Sequence, residues 1–151
     1  MNDYEEILIN ELKPYERNAR THSKDQLDKI AASIREFGFI NPVVIDENNM
    51  ILVGHGRVAA AKIAGLEKVP FVRVTNLSED KKKAYIIADN LISDLGGWDM
   101  DKLQKEVESI EMDMSQFGFD DIDESNASVD LIEDDTDSKV KCPKCGFEFE
   151  D

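Results

Sequence analysis

Four consecutive residues, Gly54-His55-Gly56-Arg57, hold the densest chemistry in the 151-residue sequence. They lie between the apolar run Ile51-Leu52-Val53 and the alanine-rich stretch Val58–Ala64, the order of a strand that passes through glycines into a helix. Such a junction turns unpaired N–H groups and the positive end of the helix dipole outward, which favours an anion. Gly54 and Gly56 tolerate positive φ and let a phosphate approach the backbone closely. Arg57 supplies a planar fork for phosphate oxygens, and His55 a further donor or a general acid/base. The same residues also suit a tight turn with Arg57 solvated, and G-x-G spacing alone leaves both readings open.

A second constellation is Cys142-Pro143-Lys144-Cys145-Gly146, followed by Phe147 and Phe149. Its C-x-x-C-G turn resembles half of a zinc ribbon, aiming two thiolates at one zinc ion. A structural zinc needs four ligands, so a second copy of the chain or a partner would have to complete the site. Free thiols are the alternative. A redox role is disfavoured because the motif lacks a strand-to-helix context. These are the only two cysteines, which is no disulfide framework for export.

The elements that position these residues follow from periodicity and punctuation. Glu6 to Leu12 is apolar-rich and ends at Pro14, which predicts an opening strand. Ser23 with Gln26 forms a capping box ahead of Leu27, Ile30, Ala31 and Ile34 at helical spacing, with Gly38 as the stop. Val43–Ile45 and Ile51–Val53, separated by Asp46-Glu47-Asn48-Asn49, predict a hairpin. Val69–Val74 predicts another strand, with Pro70 favouring an edge or first-residue position. Ser78 is expected to cap a helix over 79–92, and Asp99 a last one through Ile110 with Leu103 and Val107 on the same face. Lys81-Lys82-Lys83 reads as a solvated face, and Trp98 as packed on the core.

Charge divides the chain. Residues 1–100 hold 13 basic and 16 acidic side chains, and residues 101–151 hold 5 and 17, so most of the net charge of −15 lies in the last third. A chain with this balance is not a strongly basic nucleic-acid binder as a whole. Beyond Phe119 the acidic, core-poor sequence reads as a disordered linker. The expected organisation is an α/β (α+β) domain over 1–118, an acidic linker over 119–138 and the cysteine knuckle over 139–151. No stretch reaches the roughly 20 apolar residues of a membrane span, and the N-terminus lacks the pattern of a signal peptide, so a cytoplasmic protein is expected.

The ordered combination of GFINPVVI, a hairpin, VGHGRVAAAKIAGLEKVPFVRV and a helix ending IADNLISDLGGWD resembles the ParB/sulfiredoxin-like domain over roughly residues 5–118. It is most similar to ParB N-terminal-like proteins of phages and prophages associated with DNA methyltransferases. The resemblance implies a small mixed sheet with flanking helices. It further implies a CTP or ATP triphosphate cradled by Gly54, His55, Gly56 and Arg57. Asp89 and Asn90 would help hold magnesium, and Asn41 and Pro42 would lie in a segment that approaches the nucleoside. Arg20, or equally Arg17, would reach the same pocket.

The family's box has Glu and Arg where His55 and Gly56 stand, which removes one cationic contact. Sulfiredoxins place their essential cysteine where His55 stands, so reductase activity is not expected. Related folds leave phosphotransferase or metal-dependent nuclease chemistry open, with His55, Asp89 or Glu16 as acid/base. A third reading is a non-enzymatic adaptor that docks a DNA-processing protein through the acidic tail and knuckle. Partners implied are a nucleotide, DNA reached indirectly or through such a protein, and a second copy of the chain, in a bacterial host cell.

Overall fold

A computed structural model describes residues 4–119 in full and, further on, only the backbone pairing of residues 140–141 with 148–149. The linker over 119–138 therefore lies almost wholly outside the described residues, as do Cys142 and Cys145.

The elements run β1 (Glu6–Leu8), α1 (Lys24–Phe37), β2 (Val43–Ile45), β3 (Ile51–Val53), α2 (His55–Ile63), β4 (Lys68–Arg73), α3 (Glu79–Asp94) and α4 (Met100–Glu108). The strands form one mixed sheet in the order β1-β4-β2-β3. β4 runs antiparallel to β1 and parallel to β2, and β2 and β3 close the expected hairpin with a bulge. A two-stranded pair, β5 (Val140–Lys141) and β6 (Glu148–Phe149), flanks the cysteine motif.

Three of the four long helices start where the sequence places a cap. Ser23 accepts from the Gln26 N–H, Ser78 from Lys81 and Asp99 from Lys102. Ala31, Ala60 and Ala61, all fully buried, let α1 and α2 pack closely above Val43, Ile45 and Val69 of the sheet. Arg35 of α1 donates to the Ile63 carbonyl at the C-terminus of α2 (2.9 Å), which satisfies an orphan acceptor there.

Several expectations are corrected. The opening strand stops at Leu8, and Ile9–Glu11 form a 3-10 turn, which still buries Ile9 and Leu12. α2 begins at His55 instead of Val58, so the GHGR box is itself the cap and first turn of the helix. Pro70 lies in an interior strand. The Phe71 N–H points to β1, donating to Glu5, so the amide position of Pro70 faces β2, which begins only at Val43 opposite Phe71. No ladder hydrogen bond is lost there. Trp98 is 56% exposed, not packed on the core, and α4 ends at Glu108 with no fully buried residue.

Lys82 is the largest departure. It is 1% exposed, and its Nζ reaches Asp46 Oδ2 (2.9 Å), Glu47 Oε1 (2.9 Å) and Glu79 Oε1 (3.0 Å). Asp46 Oδ1 in turn accepts the N–H groups of Asn48 and Met50 at 2.8 Å, closing the β2–β3 turn. Burial pushes the Asp46 carboxyl up, but Lys82 and the two backbone donors outweigh it and hold it below the usual carboxylate range. The Lys82 ammonium is correspondingly held above its ordinary value by the three carboxylates.

A carboxyl depressed in the folded state contributes stability above its unfolded value, near pH 4, and loses it as pH falls through the folded value. Asp46→Ala is therefore expected to lower the thermal midpoint at pH 7 by about 5 °C or more. It should also flatten the loss of stability below about pH 4. Thermal unfolding followed by circular dichroism from pH 7 to pH 2 measures both.

Candidate functional site

The site is built where β3 feeds α2. Gly54 has φ 105°, and a Cβ there would lie 2.9 Å from Val43 Cγ1, so both the turn and the packing demand glycine. Gly54 offers no side-chain cap, and the first hydrogen bond of the helix runs from the Val58 N–H to the Gly54 carbonyl. The N–H groups of His55, Gly56 and Arg57 thus precede the ladder at the positive end of the helix. In α1, α3 and α4 a side chain fills that role. In α2 the vacancy faces a cleft of about 190 Å³.

That cleft is lined by Asn18, Arg20, His22, Gln26, the whole GHGR box, Asp89, Asn90 and Ser93. It brings together three distant segments: the 18–26 loop and helix start, the strand-to-helix junction and the second half of α3. The segment leading into the loop is anchored at two points. Lys13 pairs with the Met50 region through backbone bonds, and the Tyr15 N–H donates to His55 Nε2 at 3.1 Å.

Arg57 is half-buried. Its Nη2 donates to the Pro42 carbonyl (3.2 Å), while its buried Nε has no partner among the described residues. Desolvation lowers the proton affinity of the guanidinium, and the charge of Asp89 opposes that. Arg20 Nη1 contacts Asp94 Oδ2 (2.8 Å) and, at 3.5 Å, the Asn90 carbonyl. Asn90 Nδ2 donates to the Ile86 carbonyl (2.8 Å), which leaves its Oδ1 as the free acceptor. Asp89 has no hydrogen-bonded partner for its carboxylate among the described residues.

Of the residues expected in the site, Gly54, His55, Gly56, Arg57, Arg20, Asp89 and Asn90 converge. Pro42 joins through its carbonyl, whereas Asn41 is exposed and does not line the cleft. Arg17 and Glu16 line neighbouring clefts instead. His55 is not the free imidazole its position suggests. Accepting the Tyr15 N–H fixes Nε2 as the unprotonated nitrogen, and desolvation, with the nearby His22, disfavours its cation. Among the described residues no three His, Cys, Asp or Glu side chains form a metal cluster.

The sequence reading missed His22. Its ring lies against Gly56, where a Cβ would come within 2.7 Å of Cε1. Glycine at this position is thus what admits the imidazole. The only signal was the paired oddity of a second glycine in the box and a histidine in the preceding loop.

The chain is similar to known proteins in sequence and in fold. The model of the ParB N-terminal domain family matches residues 1–91. The chain is 44% identical over 75 residues to the ParB-like nuclease domain-containing protein YnaK of Escherichia coli, covering 50% of this chain and 86% of that protein. It is 37% identical over 76 residues to the probable chromosome-partitioning protein ParB of Treponema pallidum, covering 48% of this chain and 23% of that one. Among solved structures, the C-terminally truncated chromosome-partitioning protein ParB of Caulobacter crescentus complexed with CTP-γ-S is similar with a TM-score of 0.53 and 26% identity, over 59% of this chain and 53% of that one. The chain therefore spans most of the Escherichia coli relative but about half or less of the partition proteins.

Gly54→Ala should cost about 1–3 kcal/mol, because it combines a positive φ with a clash against Val43. A denaturant titration reads this as a lower midpoint with an unchanged slope.

Proposed function

The chain belongs to the ParB N-terminal domain family, and from that premise we propose that its cleft binds a nucleoside triphosphate with magnesium, CTP first and ATP as the alternative. One observation carries this reading: the uncapped start of α2 and the guanidiniums of Arg57 and Arg20 converge on a single small cleft. Three backbone donors, a helix dipole and two planar cations suit a compact, highly charged phosphate group. The unpartnered Nε of Arg57 is a donor awaiting an acceptor.

The residues present fit the metal. Magnesium binds through one or two protein oxygens and completes its shell with phosphates and water. Asp89, with an unengaged carboxylate, and Asn90, with Oδ1 free, are hard donors opposite the phosphate-binding end of α2. When bound, the ion would offset phosphate charge; the chain's own groups orient the phosphates and shield them from bulk water. The CTP preference follows the Caulobacter relative, whose structure contains CTP-γ-S.

The finer reading is a module of phage or prophage DNA metabolism, acting in a bacterial cytoplasm beside a DNA methyltransferase or another DNA-processing protein. Among the described residues no helix is long and apolar enough to cross a membrane. Exposed Ile87, Leu91 and Leu95 follow one another at helical spacing along and just beyond α3. This stripe is the surface on which a second copy or protein partner would dock. Zinc at Cys142 and Cys145 is proposed from their C-x-x-C-G spacing between β5 and β6.

Calorimetry with magnesium should give saturable binding of one nucleotide. Arg57→Ala should weaken it by about 10- to 100-fold, the scale of losing charge-assisted hydrogen bonds. Binding unaffected by that change would move the ligand elsewhere. For the docking surface, Leu91→Asp with Leu95→Asp is expected to abolish nucleotide-dependent self-association in sedimentation while leaving nucleotide affinity within about threefold.

A further inference from the structure

We propose that the chain's own acidic segment, through residues 129–135 (VDLIEDD), docks into a second hollow of the domain. That hollow measures about 730 Å³, lies between residues 13–17, the β2–β3 turn and the start of α3, and shares no lining residue with the cleft. Pro14 and the half-buried Tyr15 and Met50 give it an apolar surface, and the exposed Lys13, Arg17 and Lys83 line it beside them. Lys13 and Arg17 have no ion-pair partner among the described residues, and Lys83 only a loose contact with Asp80 at 3.8 Å. Of the carboxylates in the hollow, Asp46 and Glu79 already bind the Lys82 ammonium, which leaves Glu16. The Lys82 cluster retains an excess of carboxylate, so charge alone does not select the occupant. The hollow calls for a segment that carries apolar anchors directly beside its acids.

The chain supplies such a segment. Residues 120–138 hold nine acidic and no basic side chains, and Val129, Leu131 and Ile132 stand next to Asp130, Glu133, Asp134 and Asp135. Ten residues lead from Phe119 to Val129. Extended, they reach about 33 Å, comparable with the diameter of a domain of roughly 100 residues. Tethered in this way, the segment has an effective concentration on the order of millimolar, so exposed ion pairs and a few apolar contacts suffice to seat it. Two other hollows fit it less well. The one at Leu8 and Ile9 offers a single cation, Lys62, beside Glu67. The one along α3 shares Arg17 and Lys83, but its Arg20 is engaged by Asp94.

The test is carbodiimide coupling in the full chain, which joins a carboxylate to a lysine amine in contact with it. Products are read by mass spectrometry on an equal mixture of isotope-labelled and unlabelled protein. No nucleotide is present, so the outcome is independent of the nucleotide-binding reading. Lys13 and Lys83 should couple to Asp130, Glu133, Asp134 or Asp135 within chains of one isotope form, about fivefold or more above the exposed Lys24, Lys62 and Lys68. Arg17→Glu, at an exposed position that leaves both lysines in place, should lower this yield about fivefold. Leu131→Asp with Ile132→Asp adds carboxylates while removing the anchors. Random electrostatic encounter would then raise the yield, whereas docking lowers it. Coupling spread evenly over the surface lysines, or a yield unchanged in both variants, overturns the proposal. The same couplings between chains of different isotope form assign the segment to another copy and also overturn it.

Discussion

The ammonium of Lys82 beneath the β2–β3 turn is the contact on which the site's geometry depends. α3 buries only Lys82 and Ile86, so apolar packing alone defines its placement weakly. The three carboxylates around Nζ supply what the core does not, and Asp46 is itself fixed by two backbone donors. A buried ion pair of this kind contributes modestly to net stability after desolvation, but it tolerates few alternative arrangements. Lys82, Ile86 and Asn90 follow one another at four-residue spacing along the helix. Fixing the first two sets where Asn90 and its neighbour Asp89 stand relative to Arg57.

The opposite wall is governed by what glycine omits. Without a Cβ, Gly54 can turn over Val43, and Gly56 can receive the ring of His22. The two glycines thus have different physical reasons within one four-residue motif: the first is conformational and the second steric. The consequence is a helix start with no side-chain cap, flanked by an imidazole.

What the sequence made legible was local. Ser23, Ser78 and Asp99 announce their helices because a short oxygen ahead of a periodic run has one good use. The start of α2 was misplaced by three residues because glycine gives no such cap. Pro70 looked like an edge residue because composition does not reveal which way a missing N–H would have pointed. Lys82 was invisible for a related reason: a lysine between two lysines reads as solvated, and its carboxylate partners Asp46 and Glu47 lie 35 residues or more away in the chain. The convergence of Arg20, Arg57 and Asp89-Asn90 was legible only through the resemblance of ordered motifs. The placement of His22 escaped even that, because it depends on the Cβ that Gly56 lacks.

Charge placement argues for a small ligand over an extended one. Arg20 spends part of its charge on Asp94, an exposed pair that contributes little to stability and can be exchanged for a phosphate oxygen. Arg57 is partly desolvated and balanced by Asp89. Each guanidinium is thus matched by a carboxylate, and the backbone dipoles at the start of α2 act over only a few ångströms. Binding along a DNA backbone requires cations spread over many phosphates, and residues 1–100 are net negative by three charges. The triphosphate proposed for the cleft would have its charges within reach of one helix end and two guanidiniums.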